Sequence, residues 1–491
     1  MAEGGGWGEE FRHARAEVRQ QADKLRRFRR LGIKTSKQNN FQFLLRKIWR
    51  AGVKKLKENC FALLAEFRRA ETLWRGFKSF ERLSLEKGSS FVQQLRHFMK
   101  NKLFQIFALH FFNDGFLASI VLLLPFIAKD LKLTLTQVGF LSSIFSLSGI
   151  LLSLPVGHLG SRFGAIKILV FTMIFYGLGF LFTGLSHSYL FLIFAFSVMS
   201  ISFGAFHPVT FSLVAKLSKK EELGRIIGDF TAVGEFGRIC LSGFISYIAF
   251  SIGWRQTSFI YVIISALILF IFLLSHFQNI KIYSKENKKN ESQKQISFIE
   301  IIKNKNFILV LLINFFDNLA SSALFIFLPF LLIKKGISPS ILGAFTSAFF
   351  VGNLIGKMGL GRLTDMFKNT KVFIIAELFM VLFIILLAYS NTIFFIILFS
   401  VILGSLTMGT SPIRTTMVTE TNEQHGSYEK AFAVGSFVAS LSSAIAPIIL
   451  GYIADLYGIV NSFNLTAIFA LFAVFSAYIY DKEKSVRINT I

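Results

Sequence analysis

A short, basic, glycine-rich stretch from Gly157 to Lys167, which reads as a loop between two helices, recurs 204 residues later (361 − 157) as the stretch from Gly361 to Lys371. The same offset carries Pro125 onto Pro329, Phe126 onto Phe330 and Gly139 onto Gly343. Phe112-Asn113-Asp114 falls opposite Phe316-Asp317-Asn318. Several landmarks at one ungapped spacing mean two homologous halves, each opening with the same helix–loop–helix unit. Duplicated halves of this kind are common in membrane transporters.

The residues between the landmarks are apolar. Hydrophobic residues make up 53% of the 491, with 60 Phe and 7 Pro. A helix that crosses a bilayer needs about 20 mostly apolar residues, and the chain offers twelve such runs. The first half reads 103–128, 137–159, 166–184, 188–215, 225–251 and 255–277. The second reads 306–331, 339–360, 371–389, 391–416, 429–454 and 459–480. The expected fold is an all-α integral membrane protein, twelve transmembrane helices in two pseudo-symmetric six-helix bundles over 99–277 and 306–482. Residues 278–305 are a polar, lysine-rich linker, with Lys281, Lys285, Lys288, Lys289, Lys294 and Lys303, and 483–491 are a tail.

Lys and Arg set the orientation. With the first run entering from the cytoplasm, the inner turns receive Arg162, Lys167, Lys216, Lys219, Lys220, Arg225, Arg362, Lys368 and Lys371, besides the linker lysines. The outer turns receive Lys129, Lys132, Arg255, Lys334 and Lys335. Both termini are therefore expected in the cytoplasm, with the chain in the cell (inner) membrane.

Residues 1–98 differ from the rest. Residues 1–102 hold 25 Lys and Arg against 10 Asp and Glu, and three of the four Trp. They read as a basic, largely non-membrane extension. Segments 41–57 and 61–80 have the makings of basic amphipathic helices for an anionic membrane surface. The composition changes at Met99, which reads as a candidate natural start.

Ionisable residues inside a bilayer are costly, roughly 2.5–3.5 kcal/mol each on insertion scales, and are functional candidates by default. The first span carries His110, Asn113 and Asp114, whose spacings of three and four place them on one face. The seventh carries Asp317 and Asn318. The fifth carries Asp229, Glu235 and Arg238, the last two spaced to pair within the helix, with Arg238 also suited to an anionic group and Glu235 to a proton. The fourth carries His207 before Pro208, a candidate proton relay, and the tenth carries Pro412 and Arg414. These groups read as a proton-coupling or substrate-binding set: His110, Asn113, Asp114, Asp317, Glu235, Arg238 and His207, with Asp114 and Asp317 as coupling candidates. The competing reading is a buried polar patch that fixes helix packing.

Both repeated stretches resemble the cytoplasmic signature of the major facilitator superfamily, Gly-x-Leu-x-Asp-Arg-x-Gly-Arg-Lys. Ser161 replaces the usual Asp in the first copy; Met366 and Lys368 replace Arg and Gly in the second. The resemblance implies inner-gate roles for Gly157, Arg162, Gly164, Lys167, Gly361, Arg362 and Asp365. In addition, residues 110–114, 133–139 and 206–208 resemble the fosmidomycin-resistance branch, which implies proton-driven export of drugs or small anionic metabolites.

No Walker motif and no metal-ligand spacing is present, so neither an ATP-driven pump nor a membrane enzyme is expected, and no cofactor. The leading expectation is a monomeric secondary transporter in the lipid bilayer, moving a small-molecule substrate by alternating access with protons as coupling ion. Efflux stands first, and uptake of an organic acid, amino acid or sugar second. The alternative from another class is a membrane-anchored scaffold or nucleic-acid-binding protein acting through residues 1–98, a partner class the composition disfavours.

Overall fold

The computed structural model describes residues 102–219, 222–276, 304–364, 366–421 and 428–489. The extension 1–98, Met99, most of the linker and Asp365 lie outside the described residues. The first half contains α1 (Lys102–Leu131), α2 (Leu135–Phe163), α3 (Ala165–Leu185), α4 (Tyr189–Leu217), α5 (Leu223–Ile252) and α6 (Trp254–His276). The second contains α7 (Lys305–Ser321), α8 (Leu324–Lys334), α9 (Leu342–Leu363), α10 (Asn369–Tyr389), α11 (Ile393–Glu420), α12 (Tyr428–Tyr457) and α13 (Ile459–Asn489). Among the described residues, 12 spans are long and apolar enough to cross a membrane, with α7 and α8 sharing one. Large apolar side chains such as Phe270, Phe394 and Phe475 point outward, each more than half exposed; hydrocarbon covers such a surface without cost.

Two sequence expectations change. The stretch from Gly157 is not a loop: α2 runs through it to Phe163, and the connection to α3 is Gly164 alone, at φ 91°. Glycines 157 and 160 are tolerated inside a helix, and only a residue free to take positive φ turns the chain. The seventh span is broken, not continuous. α7 stops at Ser321 and α8 starts at Leu324, where two serines and an alanine interrupt the apolar run; paired small polar residues are a known cause of such kinks.

The halves meet along two seams, α2 against α12 and α5 against α9. The repeat explains both. Gly139 on α2 packs on the Pro447 carbonyl of α12, and its counterpart Gly343 on α9 packs on the Ser242 and Gly243 carbonyls of α5. A Cβ at either would overlap backbone, so these glycines let helices approach closely where no hydrophobic drive exists between them. At the same end of the molecule, Asp455 of α12 accepts from the α2 N-terminus: Leu135 N at 2.7 Å, Thr136 N at 2.8 Å and Thr136 Oγ1 at 2.5 Å. A carboxylate there satisfies orphan amides and complements the helix dipole.

Candidate functional site

In the first half, polar groups from α1, α4 and α5 converge on Asp114. Arg238 NH2 lies 2.8 Å from Asp114 Oδ2. Asn113 Nδ2 donates to Oδ1 at 2.9 Å, and Tyr176 OH donates to Asn113 Oδ1 at 3.0 Å. His110 Nε2 and His207 Nε2 stand 3.4 and 3.5 Å from Oδ1. His110 is fixed by its other nitrogen, Nδ1, which is 2.7 Å from the Phe230 carbonyl, and by stacking on Phe230 at 3.9 Å between centroids. Pro208 does not end α4, which continues to Leu217, so His207 is held at mid-helix facing α1.

Glu235, almost fully buried, sits beside this cluster. Arg238 NH1 is 3.5 Å from it within α5. Its shorter contact comes from the other half: Lys357 Nζ of α9 donates to Glu235 Oε1 at 2.5 Å. Arg238 also lies 5.9 Å from the centroid of Phe350, again on α9. The site thus straddles the α5–α9 seam. Asp229 lies one helical turn and more away, toward the start of α5.

The second half has its own centre. Arg414 Nε of α11 is 2.8 Å from Asp317 Oδ2 of α7, and NH1 donates to Asn314 Oδ1 at 3.1 Å. Thr410 Oγ1 donates to Asp317 Oδ1 at 3.2 Å. Glu377 of α10 is fully buried and faces the Asp317 carboxyl. Asn318 points elsewhere and donates to the Asn314 carbonyl. Two carboxyl groups therefore share one guanidinium in a site closed to water.

Arg362 falls on the last turn of α9 and Lys167 on the first turn of α3; the side chains of 157–162 are not among those described. Lys357, Glu377 and Asn314 were not singled out from sequence. For the first two the signal was present, an ionisable residue inside an apolar run. Asn314 carries no such mark, because its side chain is an uncharged amide and not an ionisable group. The sequence also shows no metal-ligand spacing, yet in space one ligand atom each from His110, Asp114 and His207 lie within 4.8 Å of one another; the three come from two helices almost a hundred residues apart.

Two halves of six spans each, closing around buried charge pairs, define a membrane transporter, not an enzyme. The chain belongs to the Major Facilitator Superfamily, whose profile matches residues 106–334 and 310–490. It is 25% identical over 374 residues to an uncharacterized transporter of this type from Methanocaldococcus jannaschii, covering 74% of this chain and 93% of the relative. It is 28% identical over 381 residues to the probable nitrate transporter NarT of Staphylococcus aureus, covering 75% and 93%. Among solved structures, the fold is similar to a bacterial homolog of the human lysosomal transporter Spinster in an inward-facing conformation, with TM-score 0.67, 16% identity and coverage of 80% and 98%. It is also similar to the nucleoside transporter NupG, with TM-score 0.64, 13% identity and coverage of 78% and 99%. The fosmidomycin-resistance branch is not represented among these relatives.

Proposed function

We propose that the chain carries a small inorganic or organic anion, with nitrate the first candidate, together with a proton. The observation that carries this reading is one buried arginine in each half closed on a carboxylate: Arg238 on Asp114 and Arg414 on Asp317, both at 2.8 Å. Arginine suits planar oxyanions because its fork donates two parallel hydrogen bonds. The nitrate transporters among the relatives support the same ligand class.

An arginine already neutralised by a carboxylate has little attraction left for a second anion. In the second half a proton changes this. With Asp317 and Glu377 against Arg414 alone, one negative charge is uncompensated, and a proton on the pair cancels it. A second proton neutralises the remaining carboxylate and leaves Arg414 free to exchange Asp317 for a substrate anion. Proton and anion thereby favour each other, and the coupling is reciprocal. Positive coupling is the signature of symport, so an inward proton gradient drives uptake. Of the two coupling candidates, Asp317 fits this role better than Asp114, whose neighbours are all donors or bases.

Transport then follows from rocking of the halves about the α2–α12 and α5–α9 seams. The positive-inside distribution of Lys and Arg supports cytoplasmic termini, which puts the Asp455–Thr136 contact at the outer end and the 157–167 and 361–371 stretches at the inner gate. Each chain holds both arginines, which supports action as a monomer. Export of a drug or metabolite by proton exchange is the second reading, favoured by the first-half motifs.

Proteoliposomes with a lumenal pH dye test the proposal. Added nitrate, or another small anion of a panel, is expected to carry protons inward in step with its own entry. Movement of protons against the anion supports export. No anion-dependent proton movement by folded protein overturns the proposal.

A further inference from the structure

The contact between His110 and Asp114 pairs two acceptors. The Phe230 carbonyl only accepts, so the hydrogen of His110 sits on Nδ1. In the neutral ring Nε2 is then a lone pair, and it faces Asp114 Oδ1 at 3.4 Å with no donor on it among the described residues. His110 is 2% exposed, so water does not relieve the opposition. His207 Nε2 approaches the same oxygen at 3.5 Å. The buried lone pair of His110 Nε2 and the Asp114 carboxylate oxygen, with the partly exposed His207 Nε2 beside them, are complementary to a cation.

We infer that His110, Asp114 and His207 form a binding site for a divalent transition-metal ion of the zinc type. Bonds of about 2.0–2.2 Å to nitrogen and oxygen in a tetrahedron give ligand-to-ligand edges of about 3.4 Å. The two histidine-to-aspartate edges are 3.4 and 3.5 Å. The donor set, two imidazoles and a carboxylate, suits zinc, cobalt and nickel rather than calcium or magnesium. The outer partners match those that orient metal ligands elsewhere. Nδ1 of His110 donates to a backbone carbonyl, and the far oxygen of Asp114 is held by Arg238.

Local packing leaves the space open. Gly234 of α5 lies against the junction, where a Cβ would come within 2.6 Å of His110 Cε1 and 2.9 Å of Asp114 Oδ2. His207, with 29% of its side chain exposed, is the side from which an ion enters. Asp114 and Glu235 are already balanced by Arg238 and Lys357, so the ion brings uncompensated positive charge. The coordination position left by three protein ligands therefore favours an anion. The site does not depend on the transport reading, and its test uses binding alone.

The full-length protein, purified in detergent and stripped of metal, is titrated with cobalt(II) alone and followed by visible absorption. One equivalent with tetrahedral d–d bands, displaced by zinc(II), is expected. His207→Ala and His110→Ala are each expected to weaken binding at least about tenfold. His207→Cys places a thiolate at the accessible ligand position, so it is expected to keep the ion and add a sulfur-to-cobalt charge-transfer band. In a chain with Cys60 and Cys240 changed to serine, that band arises only if residue 207 touches the metal, whatever the stability of the alanine variants. Monodisperse wild-type protein that binds no cobalt overturns the inference and leaves a proton as the cation between His110 and Asp114. Unchanged binding in both alanine variants, or cobalt bound by His207→Cys without the charge-transfer band, overturns it as well.

Discussion

Lys357 of α9 donates to the Glu235 carboxylate of α5 at 2.5 Å, so one charge pair between membrane-spanning helices joins the two halves of the molecule. Glu235 is 1% exposed, and its Oε2 has no hydrogen-bond partner among the described residues. Removing one partner of such a pair strands the other charge, at a cost of about 3 kcal/mol or more. Lys357→Met and Glu235→Gln are each expected to lower the apparent melting temperature in detergent by several degrees. The double variant is expected to recover most of that loss. A double variant that falls by the sum of the singles would show the two residues to be independent.

Asp317→Asn and Glu377→Gln are expected to separate exchange from accumulation. Each removes the group that takes the coupling proton while keeping the side-chain volume. Proton-driven anion accumulation in vesicles should drop on the order of tenfold or more, while anion-for-anion exchange continues. Loss of both activities together in well-folded protein would make these residues structural.

Arg414 contacts Asp317 through Nε and Asn314 through NH1. Lysine keeps the charge but cannot reproduce a planar two-pronged contact. Arg414→Lys is therefore expected to weaken anion binding at least about tenfold, equivalent to about 1.4 kcal/mol. Equal affinity of wild type and variant, measured by titration calorimetry, would place the anion elsewhere.

Asp455 holds the α2 N-terminus through three hydrogen bonds. Losing an N-terminal capping acceptor costs about 1 kcal/mol, here charged to the state with this end closed. In a chain with Cys60 and Cys240 changed to serine, a reporter Val138→Cys probes the seam. Adding Asp455→Ala is expected to speed its alkylation about fivefold, the population change that such an energy produces. No change in rate would mean that the seam stays closed without this contact.

Gly164 joins α2 to α3 at φ 91° and ψ 137°, a region that side-chain-bearing residues enter at a cost of about 1–3 kcal/mol. Gly164→Ala is expected to reduce thermal stability accordingly, whereas alanine at Gly149, with nothing near its Cβ position, should not. Equal melting temperatures for the two variants would refute the strain argument.

Much of the architecture was legible in the chain. The twelve spans follow from apolar runs alone, because a bilayer leaves the backbone no choice but to bond within each run. The repeat located Gly139 and Gly343, and both turn out to sit at the seams between halves. The turn at Gly164 was misread as a loop, since glycines at 157 and 160 mark a helix that must pack closely as readily as a break. The interruption at Ser322 and Ala323 carried no proline to announce it. Glu377 and Lys357 are ionisable residues inside apolar runs, as Asp114 is, but nothing near them in the sequence shows which charge each one meets.

By itself, then, the sequence determined that this chain spans a membrane twelve times in two related halves, with ionisable groups inside. Those properties depend on hydropathy and periodicity, which are local. Only the tertiary structure decided the pairing: Arg238 with Asp114 across α5 and α1, Arg414 with Asp317 across α11 and α7, and Lys357 with Glu235 between the halves. A buried charge is tolerated only beside its counter-charge, and which counter-charge it meets is set by helix packing between segments far apart in the chain.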